Sequence, residues 1–201
     1  MVTFERELKT FDPRCTMKSV LAILFVSALS VWGQPAQIIL LRHAEEPDDK
    51  TAVHLSVRGE KRARALVSLL AKPSLTLTSN APIAALFATR VTRDGRSYRT
   101  GETLAPLARE IGLPVQTPFQ AKDYALLART VLTNPSFRGK TVIICWTHRN
   151  IADLAGALGA EPKPPPWKDK VFDRLYLITR VDGASVVRNV PQQLLKGDSK
   201  N

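Results

Sequence analysis

The sequence predicts an α/β protein in which helices cover both faces of a mostly parallel sheet. Runs of β-type residues alternate along the chain with amphipathic segments, an order typical of layered α/β domains. The first run, "IILL" at residues 38–41, is apolar at every position, as expected of a strand buried on both faces. We therefore expect a three-layer α/β/α fold, and the 201 residues are close to the size of one domain.

The sequence patterns predict five strands and four helices along the chain. The predicted strands cover residues 37–41, 84–89, 141–147, 174–181 and 185–190. Four segments repeat apolar residues at the i, i+3, i+4, i+7 spacing of one helix face, and these stripes begin at Ala63, Leu104, Tyr124 and Ile151. "DG" at residues 182–183 separates the last two strands, so the sheet should have an antiparallel edge. The proline-rich stretch 161–167 should be a stiff loop that ends the fourth helix.

The N-terminus has the layout of a secretory signal peptide. Lys18 precedes an apolar run from Val20 to Trp32, and small residues follow near Gly33. The run is too short to cross a bilayer comfortably as a permanent anchor. We expect residues 1–33 to be an extension that is removed on export, with Met17 as an alternative start, and residues 34–201 to be a single domain. The protein would then be periplasmic or secreted, whereas an uncleaved N-terminus would tether it to a membrane.

Charge and cysteine content narrow the classes of partner. Twenty-nine Lys and Arg against 18 Asp and Glu give a net charge of +11, which favours acidic partners. The basic residues are spread along the chain and only 6% of residues are aromatic, so nucleic-acid binding is not expected. The sequence has no C-x-x-C motif or His/Cys cluster, and we expect neither a metal nor a cofactor. Cys145 is expected to be a small buried hydrophobe.

Two of the predicted strands end in a histidine. "LLRHAE" places Arg42 and His43 after the first strand, and "IICWTHRN" places His148 after a later one. Ligands bind at the carboxyl ends of parallel strands, so these side chains should lie close together. "SYRTGETL" begins a helix with Arg99 in its first turn, where a guanidinium and free backbone N–H groups bind phosphate oxygens. Other candidates for that role are Arg90, Arg93 and Arg96.

These motifs, in this order, resemble those of the histidine phosphatase superfamily, which has a phosphoglycerate-mutase-like fold. Arg42-His43-Ala44 matches two residues of the Arg-His-Gly motif, and "RTGETL" resembles the Arg-Ala-x-Glu-Thr-Ala segment. "THRN" resembles Gly-His-Ser-Asn, and "HLSVRGEKRARAL" resembles the helix that begins Leu-Thr/Ser-x-x-Gly. The resemblance covers residues 37–190. Ala44 and Arg149 depart from it, since the family has a glycine and commonly a small residue there.

The resemblance implies a phosphohydrolase that works through a phosphohistidine on His43, without a metal or cofactor. Arg42, Arg99 and His148 would surround the phosphoryl group and neutralise its charge, and Asn150 would help to bind the substrate. The implied substrate is a phosphorylated small molecule or a phosphoprotein.

A general acid must protonate the leaving oxygen, and three carboxylates are candidates. The resemblance favours Asp123, which could equally cap the helix that follows it. The alternatives are Glu45 and Glu46, directly after His43.

Two other functions fit the same sequence. The chain could be a non-catalytic domain of the same fold that binds phosphate ligands. It could also be a basic surface-binding protein that an uncleaved N-terminus attaches to a membrane.

Overall fold

A six-stranded sheet forms the centre of the described part of the chain. The structure is a computed structural model that describes residues 33–49, 51–71, 80–93, 97–181 and 183–200. The strands are β1 Gln37–Arg42, β2 Ile83–Ala88, β3 Val115–Gln116, β4 Thr141–Trp146, β5 Arg174–Val181 and β6 Ala184–Pro191. Their order is β3-β2-β4-β1-β5-β6, with β3 to β1 parallel and the last two strands antiparallel. The predicted mostly parallel sheet with an antiparallel edge is confirmed.

Helices lie on both faces of this sheet and bury separate cores. They are α1 Val57–Leu70, α2 Tyr98–Ile111, α3 Tyr124–Thr133 and α4 His148–Ala157. Ile39 and Leu41 of β1 pack in the core that α1 and α2 cover, whereas Ile38 and Leu40 pack in the core that α3 and α4 cover. Because side chains alternate along a strand, a strand between two helical layers must be apolar at every position. The three-layer α/β/α prediction is confirmed.

The structure contains the predicted helices and strands and one further short strand. All four predicted helices and five predicted strands are present in the described residues. The two-residue strand β3 was not predicted, since it is too short to show a pattern. Cys145 is fully buried in β4, as expected, and burial raises the pKa of its thiol.

The N-terminal predictions fall outside the described residues. The signal peptide, the alternative start and the domain boundary all concern residues 1–33, of which the structure describes only Gly33, so they stay predictions. None of the helices in the described ranges combines the length and apolar character needed to cross a membrane.

The loop after β1 is fastened to the start of α1. Ser56 caps this helix by accepting a hydrogen bond from the backbone N–H of Gly59 at 3.1 Å. The backbone N–H and the hydroxyl of Ser56 both donate to the carbonyl oxygen of Glu45, at 2.9 and 3.1 Å. Gly59 lies so close to this turn that a Cβ atom there would overlap the same carbonyl oxygen. The position therefore requires glycine because of a close backbone approach.

We expect Gly59→Ala to destabilise the fold by roughly 1–3 kcal/mol, because α1 must move away from Glu45. Urea unfolding measures this change. Gly101→Ala is a matched control: Gly101 is helical, its Cβ would meet open space, and alanine there should be neutral or stabilising by up to ~1 kcal/mol. Equal effects of the two substitutions would contradict the close approach at Gly59.

Candidate active site

The candidate site lies at the carboxyl ends of the paired central strands β1 and β4. Arg42, the last residue of β1, is in register with Trp146, the last residue of β4. The backbone N–H of His43 donates to the carbonyl oxygen of Trp146 at 3.3 Å, which continues this pairing beyond the strand. His148 begins α4 two residues after β4. The sheet thus delivers both histidine-bearing segments to one edge, and each ring is within electrostatic reach of Arg42.

His43 is held as a neutral imidazole. The residue is 6% exposed, and Nδ1 of its ring lies 2.8 Å from the carbonyl oxygen of Ala44. A carbonyl oxygen can only accept a hydrogen bond, so Nδ1 carries the proton and Nε2 keeps its lone pair. Burial, aided by the positive charge of Arg42, lowers the pKa of His43 to about 4, although the hydrogen bond to Ala44 opposes this change. At neutral pH the site therefore presents a nucleophilic nitrogen.

Arg42 is a buried cation with unused donors. Its guanidinium carbon lies 3.9 Å from the centroid of the Phe172 ring, and Nη1 donates to the carbonyl oxygen of Asp169. Nε and Nη2 are buried, and neither has a hydrogen-bond partner among the described residues. Burial lowers the pKa of Arg42 to about 10, so it remains charged at pH 7. A buried charge with unpaired N–H groups is unfavourable unless an anion completes its surroundings.

Arg99 supplies a second guanidinium from the first turn of α2. Its Nε donates to the carbonyl oxygen of His54 at 3.1 Å, and Nη2 donates to that of Ala52. Its Nη1 lies 2.9 Å from Oε2 of Glu46. The loop that carries Ala52 and His54 therefore fixes the direction of the arginine.

Thr103 links Arg99 to the segment that follows His43. Its hydroxyl accepts a hydrogen bond from the backbone N–H of Ala44 at 2.9 Å and donates to the carbonyl oxygen of Arg99 at 2.7 Å. The Thr103 side chain is fully buried, so this connection is sheltered from water. The segment after His43 and the first turn of α2 consequently keep a fixed separation.

His148 contributes a second imidazole. Its Nε2 lies 3.2 Å from Oδ1 of Asp169, and its Nδ1 is buried without a hydrogen-bond partner among the described residues. Burial, with a smaller contribution from Arg42, lowers the pKa of His148. This ring can offer either a donor or an acceptor, depending on its protonation.

The remaining predicted residues have local partners. The Asn150 side-chain oxygen lies 3.2 Å from the Thr147 hydroxyl, in the turn that begins α4. The Asp123 carboxylate accepts a hydrogen bond from the backbone N–H of Gln120 at 3.0 Å and caps the 3-10 turn before α3. The roles of Asn150 in binding and of Asp123 as general acid stay predictions.

Glu45 belongs to an ion network on the side of α1. Its carboxylate lies 2.8 Å from Nη2 of Arg62, and that guanidinium also lies 2.7 Å from Asp198. Arg58 reaches both carboxylates, at 3.0 and 3.2 Å. Burial opposes ionisation of both acids, but hydrogen bonds from Arg62 lower the pKa of Glu45 and help to lower that of Asp198 to about 2. The carboxylate of Glu45 is thus occupied by this network.

Sequence reasoning did not single out Asp169 and Phe172, which lie in the loop beside Arg42. Asp169 and Phe172 follow the proline-rich stretch and contact His148 and the Arg42 guanidinium, respectively. Trp167 anchors the loop, since its ring is buried and its Nε1 donates to the carbonyl oxygen of Val171 at 2.8 Å. Nothing periodic marks these residues in the sequence. The useful signal would have been an acid and aromatics that follow several prolines.

Together, the fold and the side chains place two guanidinium groups near a buried histidine with a lowered pKa, at the carboxyl end of a mostly parallel sheet. Within the described ranges, no group of three or more His, Cys, Asp or Glu side chains is placed to hold a metal ion. No protein-family model matches the sequence, and no curated protein has significant similarity to it.

Solved structures of several phosphatases are similar to this chain. A protein assigned as an alpha-ribazole-5'-P phosphatase of Escherichia coli is 14% identical, with 77% of this chain and 96% of that chain covered and a TM-score of 0.48. A mycobacterial glucosyl-3-phosphoglycerate phosphatase is 17% identical, with 77% and 95% covered and a TM-score of 0.47. A protein assigned as the phosphohistidine phosphatase SixA of Nakamurella multipartitia is 14% identical, with 78% and 95% covered and a TM-score of 0.47. Because these values are low, the likeness carries no information about the substrate of this chain.

Proposed function

We propose that the protein is a phosphohydrolase of the histidine phosphatase type, with His43 as its nucleophile. The observation that carries the proposal is the pairing of a neutral imidazole with a buried guanidinium. Nδ1 of His43 makes the hydrogen bond to Ala44, so the lone pair on Nε2 takes no part in that bond. The neighbouring Arg42 has two buried nitrogens without hydrogen-bond partners among the described residues.

In the first step, Nε2 of His43 attacks phosphorus as the bond from phosphorus to the ester oxygen breaks. The guanidinium groups of Arg42 and Arg99 bind the non-bridging oxygens and neutralise the charge that spreads over them in the transition state. The hydrogen bond from Nδ1 to Ala44 steadies the ring as it becomes positively charged. In the second step, water attacks phosphorus and the electron pair of the P–N bond returns to Nε2.

The substrate class follows from the same groups. A phosphomonoester on a small molecule or a protein presents the dianion that two arginines bind well. Export remains part of the proposal, since the N-terminal sequence pattern supports it.

The test is hydrolysis of p-nitrophenyl phosphate by the full chain in the presence of a metal chelator. We expect turnover that the chelator does not reduce, because the proposed nucleophile is a histidine and the proposed phosphate-binding groups are arginines. A folded protein that binds phosphate without hydrolysing this ester would instead support the non-catalytic binding domain.

We expect the acid limb of kcat/KM to lie near pH 4, well below the ordinary pKa of 6.5 for histidine, because kcat/KM reports ionisation of the free enzyme. His43 accepts a proton as the pH falls through about 4, and the protonated ring cannot attack phosphorus. The measurement is kcat/KM between about pH 3 and pH 8, with circular dichroism to verify folding. An acid limb at the ordinary histidine pKa would contradict the assignment of His43.

A further inference from the structure

Glu46 lies between the two guanidinium groups of the site. Its Oε2 is 2.9 Å from Nη1 of Arg99, and its Oε1 is 3.8 Å from Nη2 of Arg42. The side chain is 28% exposed, so one side faces solvent. The charge of Glu46 also acts on His43 and His148, where it opposes the lowering of their pKa values.

The charged and titratable neighbours of Glu46 come from several elements of the fold. Arg42 ends β1 and His43 follows it, Arg99 comes from α2, and His148 comes from α4. Asp169, from the loop after α4, interacts electrostatically with both Arg42 and His148, as Glu46 does. Glu46 therefore faces two guanidinium groups from different parts of the fold.

A phosphate ester needs the same donors that Glu46 now faces. Nη2 of Arg42 has no hydrogen-bond partner among the described residues, and Nη1 of Arg99 has Glu46. A phosphoryl group bound to both would place two negative charges beside the carboxylate. Like charges this close disfavour the ionised form of the carboxylate. Glu46 must then move away or take up a proton.

We propose that Glu46 takes up one proton when a phosphate ester binds and then gives this proton to the leaving oxygen. The inference rests on the proposed phosphohydrolase function. It assigns the general acid to Glu46 because Glu46 faces the two arginines that would bind the phosphoryl group, whereas the other two candidate carboxylates pair with other groups. Glu45 is paired with Arg62, and Asp123 accepts a hydrogen bond from the backbone of Gln120.

Protons and electrons balance over the cycle. As the P–O bond breaks, its electron pair goes to the ester oxygen, which takes the proton of Glu46 and leaves as an alcohol. Nε2 of His43 holds the phosphoryl group, and Glu46 is a carboxylate again. The attacking water then gives one proton to Glu46 and its oxygen to phosphorus. Release of the phosphate dianion lets Glu46 return its proton to solvent.

The test measures proton uptake on binding of sulfate to the full chain. Sulfate keeps both negative charges throughout the neutral range, so any proton taken up belongs to the protein. Calorimetry in two buffers with different ionisation enthalpies gives the number of protons. We expect uptake that approaches one proton per sulfate, with a Kd that rises up to about tenfold per pH unit where Glu46 is ionised in the free protein.

The Glu46→Gln variant tests whether the proton taken up binds to Glu46. The variant should lose the uptake and bind sulfate with a flatter pH dependence, whereas any contribution of His43 or His148 would remain. Glu110→Gln, which removes an exposed carboxylate from the end of α2, should behave as the parent protein does.

The leaving group provides a second readout. Glu46→Gln should lower kcat by about 10²-fold for an alkyl phosphate, whose leaving oxygen needs a proton. The loss should be much smaller for p-nitrophenyl phosphate, because p-nitrophenolate leaves without one. Equal losses for both esters would overturn the assignment.

The outcomes separate this inference from the proposed function. If sulfate binding requires Arg99 but proton uptake is the same in the parent and Glu46→Gln, the role of Glu46 is wrong and the phosphohydrolase can stand. If sulfate does not bind at all, both are overturned.

Discussion

Replacing His43 with asparagine is expected to reduce phosphatase turnover by about 10³-fold or more, because it removes the attacking nitrogen. The amide nitrogen of the shorter side chain can occupy the place of Nδ1 and keep the hydrogen bond to the carbonyl oxygen of Ala44. No group then remains at the position of Nε2. Steady-state hydrolysis of p-nitrophenyl phosphate measures the loss.

Sulfate binding is the control for this variant. The two guanidinium groups are unchanged in His43→Asn, so sulfate affinity should stay within a few-fold of the parent value. Lost turnover with retained binding separates a nucleophile from a residue that only shapes the pocket. Turnover at the parent level would show that His43 does not attack phosphorus.

Replacing Arg62 with methionine is expected to destabilise the fold by about 3–5 kcal/mol. Arg62 is 1% exposed and pairs with Glu45 and Asp198. Methionine fills much of the space but leaves these sheltered carboxylates without their main counter-ion. Urea unfolding at neutral pH measures the change.

Arg64→Met is the matched control, two residues along the same helix. Arg64 is exposed and lies 3.5 Å from Glu60, so its loss should change the free energy of unfolding by about 0–1 kcal/mol. A similar small effect at Arg62 would show that the buried network contributes little to stability.

The ion pairs of Arg62 should also make the free energy of unfolding depend on pH in the acid range. The folded-state pKa of Asp198 is about 2, below its ordinary value of 3.8. Its contribution is therefore fully present above the ordinary value and is lost as the pH falls towards 2. Because the hydrogen bond from Arg62 is the largest single cause of this lowered pKa, Arg62→Met should show a weaker acid dependence than the parent in urea unfolding across this range.

The layers of the fold and the position of the site could be predicted because they depend on local patterns. The apolar residues of β1 and β4 mark strands buried on both faces, and the polar residues that follow them must lie at the carboxyl ends. Arg42, His43 and His148 are therefore placed by their position at or just beyond the ends of these strands. The four helices follow from the spacing of their apolar residues in the same way.

The contacts between distant segments could not be predicted. Glu46 faces Arg99 because the loop after β1 turns towards α2, and no local pattern encodes that turn. Glu45 is its neighbour in sequence, yet it faces Arg62 on α1. The sequence offered both acids as alternatives, and only the direction of each side chain distinguishes them. Asp169 and Phe172 reach the site through a loop without regular structure, which leaves no periodic signal.

The central place of β1 has a consequence for biosynthesis. This strand is made before the other strands, but its partners β4 and β5 begin only at Thr141 and Arg174. A ribosome must therefore pass residue 174 before both edges of β1 can pair, and until then the nascent chain carries an apolar strand with open edges. Chains released before this point should bind chaperones or aggregate. The surroundings of His43 are therefore assembled only after most of the polypeptide has been synthesised.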